Sequence, residues 1–422
     1  MTELRTADQP DAAVPLPTDL TDERLLHRAG LSGWLSTVWS RLRGGDLGSL
    51  PVVIGLIVIS IVFYVQEPAF LSSRSLVTIT QFAAPVGIIA LGIVLVLLLG
   101  EIDLSVGSMS GLAAAIMAVQ VVNNGQPMLV GFLAGITAGV AVGALYAALY
   151  VRVGVPSFVI TLAGLLGFQG LLLYVLGKDG TINIPDDSWL VQFARYEFVS
   201  GPLAYLLVLA VVALYVVANL VGARRRKAAE LSTPSTASLL LRAGLLAAAL
   251  LFLTYYLGLD RGWGYLWLFF VALVVLMDLA LRKTRWGRHV FAVGGNEEAA
   301  RRSGIKVGRI YLSVFVLCST LAALGGLLAA GQQTSVSQAS GTTDTNLTAI
   351  AAAVIGGTSL FGGRGSAYSA MLGIIVLQAI QSGLNLIGVD SSVRFMVTGG
   401  VLLLAVAIDS LARRARSSSG RG

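Results

Sequence analysis

Two carboxylates stand between two long apolar runs, in the stretch LVLLLGEIDLSVGSMSGLAA that begins at Leu95. Ionisable groups at membrane depth are costly and usually face a cavity or a pathway, so Glu101 and Asp103 could shape an inner gate or take part in proton coupling. A plainer interpretation is a tight, capped turn, in which Asp103 or Ser105 accepts hydrogen bonds from the N–H groups that open the next helix. The residues alone leave both interpretations open.

The sequence contains few other residues suited to catalysis or metal binding. Its two histidines, His27 and His289, lie in basic, polar segments, and the single cysteine, Cys318, lies in an apolar run where a packed, inert thiol is expected. Asp278 precedes LRKTR and is expected to pair with one of those cations. We therefore expect no cofactor, no metal site and no enzymatic activity in this chain.

The glycine-rich stretch GGTSLFGGRGS invites comparison with a phosphate-binding loop. The phosphate-binding pattern requires a Gly-Lys-Ser/Thr ending, in which the lysine contacts the terminal phosphates, and no lysine occupies that place here. We interpret these glycines as a tight turn that leaves Arg364 at the inner membrane surface.

Composition indicates what must position these groups. The chain has 422 residues, 56% of them hydrophobic and 12% charged, whereas ordinary soluble domains have about 25% charged residues. The apolar residues form blocks of roughly 20, the length that crosses a bilayer as a helix. We therefore predict an all-α polytopic membrane protein with about 10–12 transmembrane helices, one of which could be re-entrant. The predicted spans are 51–66, 79–100, 105–122, 128–150, 155–176, 202–221, 237–257, 264–281, 310–330, 346–359, 367–387 and 393–411, and 346–359 is the short one.

Lysine and arginine fall mainly in alternate connections and in the two tails. Because positive residues stay on the cytoplasmic side, this pattern predicts a multi-pass plasma-membrane protein with both termini in the cytoplasm. The net charge of +7 then belongs to one face of the membrane protein and does not indicate nucleic-acid binding.

The predicted organisation has three parts. Residues 1–50 form a cytoplasmic tail, of which 1–20 are expected to be disordered. Residues 51–411 form the transmembrane domain, and 412–422 a basic tail. The pair of spans within 202–257 resembles an added hairpin, whose basic connection GARRRKAAELSTPSTAS would contact anionic membrane lipid. Small residues in GFLAGITAGVAVGALYAALY predict close helix packing.

The cytoplasmic loop 282–309 contains the signals for one short, exposed helix. Asn296 is a good N-cap, two glutamates oppose the helix dipole, and Gly304 can close the helix in the left-handed conformation. A solvated connector is the alternative interpretation. The residues assigned to this helix and to contact with a partner are Asn296, Glu297, Glu298, Ala299, Ala300, Arg301 and Gly304.

Glu298, Ala299, Ala300 and Gly304 resemble the EAA loop of permeases in binding-protein-dependent ABC importers. GEIDLSVGS, VPSFVITLAGLLGFQG, GGNEEAARRSGI and AIAAAVIGGTSLFGGRGS, in this order, resemble signatures of the ribose/galactose/xylose permease family. The added hairpin, and glutamate in place of the commoner glycine at 101, make the chain most similar to D-xylose permeases.

The resemblance implies a coupling helix seated in a groove of cytoplasmic ABC ATPase subunits that hydrolyse ATP outside this chain. It also implies an extracytoplasmic sugar-binding protein, a second permease copy in a homodimer, and a sugar substrate. An uncharged sugar needs hydroxyl, amide and aromatic groups along its path. The candidate gate and pathway residues are Glu101, Asp103, Ser105, Ser108, Ser157, Phe158, Thr161, Gln169, Gln378, Gln381 and Asn385, each of which could instead serve helix packing.

Three other functions stay open at this point. A secondary transporter would use Glu101 or Asp103 for ion coupling and need no ATPase. A membrane-embedded enzyme is disfavoured because no catalytic cluster is evident. A nucleoside or branched-chain amino-acid ABC permease is the nearest rival to a sugar permease.

Overall fold

The computed structural model describes residues 50–229, 231, 236–401, 403 and 407, so the predicted tails 1–50 (except Leu50) and 412–422 lie outside the described residues. Nine helices in this described part are long and apolar enough to cross a membrane, and two shorter apolar helices cover Val52–Gln66 and Asp344–Ile355. The prediction of an all-α polytopic membrane protein is confirmed.

The helices follow the predicted order. They are α1 (Leu50–Gln66), α2 (Ser73–Leu98), α3 (Val106–Ala118), α4 (Met128–Ala148), α5 (Ser157–Leu176), α6 (Trp189–Val191), α7 (Gly201–Ala228), α8 (Thr236–Gly258), α9 (Tyr265–Lys283), α10 (Arg285–Gly295), α11 (Glu297–Arg302), α12 (Val307–Gln333), α13 (Thr343–Ile355) and α14 (Ala367–Leu386). A 3₁₀ turn covers Pro68–Leu71, π turns cover Val119–Asn123, Leu149–Val153 and Gln192–Tyr196, and 391–401 are also helical.

Four short strands gather the connections at one end of the bundle, which we call the strand end. Strand β1 (Thr181–Asn183) pairs antiparallel with β4 (Ser335–Ser337), and Ile182 lies opposite Val336. Strand β2 (Phe198–Val199) pairs with β3 (Trp263–Gly264). The Arg195 guanidinium donates to the Gln332 carbonyl oxygen at 3.3 Å, which joins the two strand pairs.

The glycine-rich loop 356–365 lies at the opposite end, which we call the glycine-loop end. The Gly363 N–H donates to the Leu98 carbonyl oxygen at 2.9 Å, where α2 ends. A Cβ on Gly362 would lie 2.6 Å from the Gly294 carbonyl oxygen, so α10 also ends here. The sequence left it open whether 346–359 is re-entrant. Helix α13 has 13 residues, only about 20 Å, but the chain around it runs from β4 to this loop and so connects the two ends.

One predicted boundary is wrong in an instructive way. The span predicted at 79–100 begins at Ser73, because the Ser72 hydroxyl accepts a hydrogen bond from the Ser75 N–H at 3.3 Å and caps a polar first turn. Residues 202–254 separate from the rest as a compact unit of their own, formed by most of α7 and α8.

Helices α2 and α12 form the centre of the larger unit. Helix α12 packs against α4, α2 and α3, and α2 packs against α14, α13 and α9. The prediction that small residues allow close packing is confirmed on α4, where Gly131, Gly135, Gly139 and Gly143 are all buried. Their spacing of four residues places them on one face, which meets α12 and α3 backbone to backbone.

We expect Gly139→Ala to destabilise the protein by about 1–3 kcal/mol, because an added Cβ would lie 2.8 Å from both the Ala323 Cβ and the Ser319 carbonyl oxygen. Thermal unfolding of the purified protein in detergent measures the effect. Gly167→Ala is the matched control, since a Cβ at Gly167 on α5 meets nothing within 4 Å. Equal unfolding temperatures for the two variants would contradict this account of the α4–α12 crossing.

Candidate functional site

The Asp103 carboxylate is bonded mainly within the acidic turn itself. Asp103 is 1% exposed. Its Oδ1 accepts hydrogen bonds from the Ser105 N–H at 2.8 Å and the Ser105 hydroxyl at 2.7 Å, and its Oδ2 accepts from the Cys318 thiol at 3.8 Å. Burial raises the pKa of Asp103, although its hydrogen bonds with Ser105 act in the opposite direction. Asp103 thus bonds to the N–H of Ser105, the residue before α3, whereas the Ser105 side chain makes no capping hydrogen bond to α3. The predicted cap is therefore present only at Ser105 and does not reach the first N–H groups of α3.

The Glu101 carboxylate connects the turn to other helices. Glu101 is half-buried. Its Oε1 accepts from the Tyr150 hydroxyl at 2.6 Å, and its Oε2 accepts from the Ser157 hydroxyl at 2.5 Å. Glu101 thus ties the end of α4 and the first residue of α5 to the same turn.

Further hydroxyl and amide groups complete this polar junction. The Tyr146 hydroxyl donates to the Ser105 hydroxyl at 2.8 Å, and the Thr161 hydroxyl lies 3.4 Å from the Ile102 carbonyl oxygen. From α13, the Asn346 amide donates to the Leu104 carbonyl oxygen at 2.6 Å. The structure therefore brings together Glu101, Asp103, Ser105, Ser157 and Thr161 of the predicted site.

An uncharged cleft lies on the strand-end side of this junction. It is bounded by α2, α3, α12, the loop that follows β4 and the first turn of α13. Its lining combines small and apolar residues with hydroxyl and amide groups: Pro85, Val86, Ile89, Ser110, Gly111, Ala114, Gly326, Ala329, Ala330, Gln333, Ser335, Ser340, Gly341 and Thr345. Such a surface suits a neutral polar solute, because it offers hydrogen bonds without a strong electric field.

None of the predicted pathway residues lines this cleft. Ser108 is buried on α3, the helix that also carries the lining residue Ser110. Phe158 is 56% exposed on the bundle surface, and Gln169 is half-buried on α5. Gln378 and Gln381 are half-buried on α14, and Asn385 is exposed and accepts from Arg394 at 3.2 Å. Their helix packs against α1, α2, α9 and α13.

Sequence reasoning missed the polar groups that do line the cleft, namely Ser110, Gln333, Ser335, Ser340 and Thr345. Four of them fall between 333 and 345, in QTSVSQASGTTDT. A run so rich in hydroxyls between two apolar segments was the available signal. Sequence reasoning also missed Asn346, whose Oδ1 is buried and has no hydrogen-bond partner among the described residues.

The short helix α11 has the predicted local geometry. The Asn296 side chain accepts from the Ala299 N–H at 2.9 Å, and Gly304 closes the helix at φ +82°. Ion pairs join Glu297 to Arg301 at 2.5 Å and Glu298 to Arg302 at 3.6 Å. The two alanines differ, since Ala300 is buried against the chain itself and Ala299 is exposed.

Other predicted contacts are also in place. Asp278 accepts a hydrogen bond from Arg282 at 2.8 Å, and Cys318 is fully buried. Among the described residues, no group of three or more His, Cys, Asp or Glu side chains is arranged to hold a metal ion.

Comparisons with known proteins place this geometry in a family. Residues 75–406 match the family described as "Branched-chain amino acid transport system / permease component". The chain is 32% identical over 377 residues to "Xylose transport system permease protein XylH" of Escherichia coli strain K12, covering 89% of this chain and 95% of the relative. It is 31% identical over 366 residues to "Ribose import permease protein RbsC" of Bacillus subtilis strain 168, covering 86% of this chain and 94% of the relative.

A second xylose permease relative, XylH of Haemophilus influenzae, is 32% identical over 377 residues, covering 88% of this chain and 98% of the relative. No solved structure matches the chain. The family match extends over most of the described chain, and the relatives are matched over nearly their whole length. The resemblance carried by the four motifs is confirmed, and the chain belongs to the family of branched-chain amino acid transport system permease components, together with these xylose and ribose permeases.

Proposed function

We propose that this chain is the membrane-spanning permease subunit of an ATP-driven, binding-protein-dependent importer for a neutral monosaccharide, with xylose or a related pentose as the solute. It is a multi-pass protein of the bacterial inner membrane. The observation that carries the proposal is the uncharged cleft, whose hydroxyl and amide groups can bond to sugar hydroxyls. The names of the xylose and ribose relatives support the same solute class.

The cleft also argues against a branched-chain amino acid as the solute. A branched-chain amino acid carries an ammonium and a carboxylate, and burying either without an opposite charge is costly. The residues that line the cleft include no charged side chain. The same lining includes no aromatic side chain, neither the ring expected along a sugar path nor one on which a nucleoside base would stack, so this feature does not separate those two solutes.

Ion-coupled transport finds little support at the acidic turn. Both oxygens of Glu101 are held by hydroxyl groups from α4 and α5. Both oxygens of Asp103 are held by Ser105 and Cys318. Both carboxylates are therefore occupied by hydrogen bonds within the chain, whereas the carboxylate of an ion-coupling site would have to be open to the transport path.

The proposed partners follow from the two ends of the bundle. The ATPase would contact the exposed face of α11, formed by Glu298, Ala299 and Arg302, at the cytoplasmic glycine-loop end. The sugar-binding protein would deliver solute at the strand end, beside the cleft. A second copy of this chain would complete a homodimer, and both termini would lie in the cytoplasm.

We expect Gln333→Leu and Thr345→Val to lower sugar uptake about 2–10-fold at subsaturating solute, because each removes one hydrogen bond to a neutral solute. Xylose uptake by proteoliposomes that contain the permease, its ATPase and its binding protein measures the effect. Thr137→Val is the matched control, since that hydroxyl is exposed on α4 and donates to the Leu133 carbonyl oxygen of its own helix. Unchanged uptake in both cleft variants would contradict the cleft as the solute site, and leucine or nucleoside uptake in place of xylose would overturn the proposed solute.

We expect Ala299→Arg to leave the protein in the membrane but to abolish solute-stimulated ATP hydrolysis. The added side chain is accommodated in solvent when the chain is alone, whereas it blocks close approach of a partner to α11. Co-purification with the ATPase, and ATP hydrolysis with and without loaded binding protein, measure the effect. Asn124→Arg places the same side chain on an exposed residue before α4 at the strand end and should keep the ATPase bound. Normal stimulation in Ala299→Arg would return α11 to a solvated connector.

A further inference from the structure

A carboxylate of α11, the proposed coupling helix, forms a hydrogen bond with the bundle. Glu297 divides its two oxygens between two partners: Oε1 accepts from Arg301 on the same helix, and Oε2 accepts from the Tyr311 hydroxyl at 3.3 Å on α12. Tyr311 is 3% exposed, so this contact links a surface helix directly to the packed interior. Any displacement of α11 must stretch or break the bond to Tyr311.

The contact continues from α12 to α4 through aromatic rings. The Tyr311 and Tyr150 ring centroids are 4.5 Å apart, and both rings pack against Phe315, at 6.4 and 5.8 Å. Tyr150 belongs to the π turn Leu149–Val153, which ends at Gly154 with φ +80°. Single π turns within helices occur frequently at functional sites, where they redirect a side chain.

The contact ends at the acidic turn. The Tyr150 hydroxyl donates to Glu101 at 2.6 Å, and Glu101 also holds the Ser157 hydroxyl. A hydrogen bond to a carboxylate is about twice as strong as one between neutral groups, so Tyr150 and Glu101 should move together. The turn leads directly into α3, whose Ser110 lines the cleft.

We propose that Glu297, Tyr311, Tyr150 and Glu101, which we call the tyrosine path, transmit movement of the coupling helix to the turn below the solute cleft. The proposal rests on the proposed function, since it names the residues by which movement driven by ATP hydrolysis reaches the acidic turn beneath the cleft. Tyr150 and Tyr311 are positioning residues that touch neither solute nor nucleotide. Packed interiors shift between discrete arrangements, so a small displacement of α11 becomes a change of hydrogen-bond partner at Glu101.

A purely packing role for the two tyrosines predicts something different. Phenylalanine at 150 and 311 retains the ring stack with Phe315. It removes only the two hydroxyl groups, which bond to Glu101 and Glu297. If the rings matter for packing alone, Tyr150→Phe and Tyr311→Phe should transport normally. If the hydroxyl bonds transmit movement, both variants should reach the membrane and bind the ATPase yet convert hydrolysis into uptake poorly.

The experiment measures xylose molecules taken up per ATP hydrolysed in proteoliposomes that contain permease, ATPase and loaded binding protein. We expect each single variant to lower this ratio about fivefold, within the usual range of coupling between sites. The double variant should be no worse than either single variant, because residues that act in series are non-additive. Tyr256→Phe is the matched control, since it removes a tyrosine hydroxyl bond of 2.8 Å, to the Leu71 carbonyl oxygen, at the strand end.

The outcomes distinguish failure of the tyrosine path from failure of the proposed function on which it rests. Uptake driven by ATP in the wild type, with an unchanged ratio in both single variants, overturns the tyrosine path and leaves the sugar importer standing. Additive losses in the double variant overturn it as well. Absence of ATP-driven uptake in the wild type overturns the proposed function and this proposal with it. A lowered ratio with intact ATPase binding and non-additive losses supports the path.

Discussion

The structure depends on satisfying the backbone groups that are freed where the chain breaks between α2 and α3. Buried backbone N–H and C=O groups need hydrogen-bond partners, and here these come from within the chain. The Leu98 carbonyl oxygen accepts from the Gly363 N–H, the Leu104 carbonyl oxygen accepts from Asn346, and the Ser105 N–H donates to Asp103. These partners come from the glycine-rich loop, from α13 and from the turn itself. The break therefore fixes where α13 and the glycine-rich loop that follows it must meet the turn.

Close packing at the glycines makes this meeting possible. A Cβ on Gly107 would lie 2.9 Å from the Asn346 Cβ and 3.0 Å from the Gly341 carbonyl oxygen, so α13 can reach the Leu104 carbonyl oxygen only because residue 107 has no side chain. Gly100, at φ +81°, starts the turn in a conformation that L-residues rarely adopt. Gly111, one turn further along α3, lies so close to the loop after β4 that a Cβ there would be 2.2 Å from the Ser340 carbonyl oxygen, and both residues line the cleft.

The sequence predicted what depends on local pattern. Apolar blocks predicted the spans, and Asn296 with Gly304 predicted the bounds of α11, because caps act within one helical turn. The cleft could not be predicted, since Ser110 and Thr345 are 235 positions apart in the sequence. They come together only through the packing of α3 against α13. Nor could sequence show that Ala300 is buried and Ala299 exposed, because that choice depends on how α11 lies against the bundle. The polar residues of α14 were attractive candidates by composition alone, and composition does not say which face of a helix meets a cavity.

The two carboxylates that stand so close in sequence have different physical constraints. Asp103 is fully buried, and its two short hydrogen bonds come from Ser105, two positions away, so they travel with the turn. Its one contact with another helix is the long bond from the Cys318 thiol on α12. Glu101 is half-buried, and both of its partners belong to other helices, so any relative motion of α4, α5 and the turn changes its hydrogen bonds. Removing Asp103 would leave an unsatisfied N–H at the entrance to α3, which is a cost in folding. Glu101 is the group whose energy differs between arrangements of the bundle, and a group acts in a switch only through such a difference.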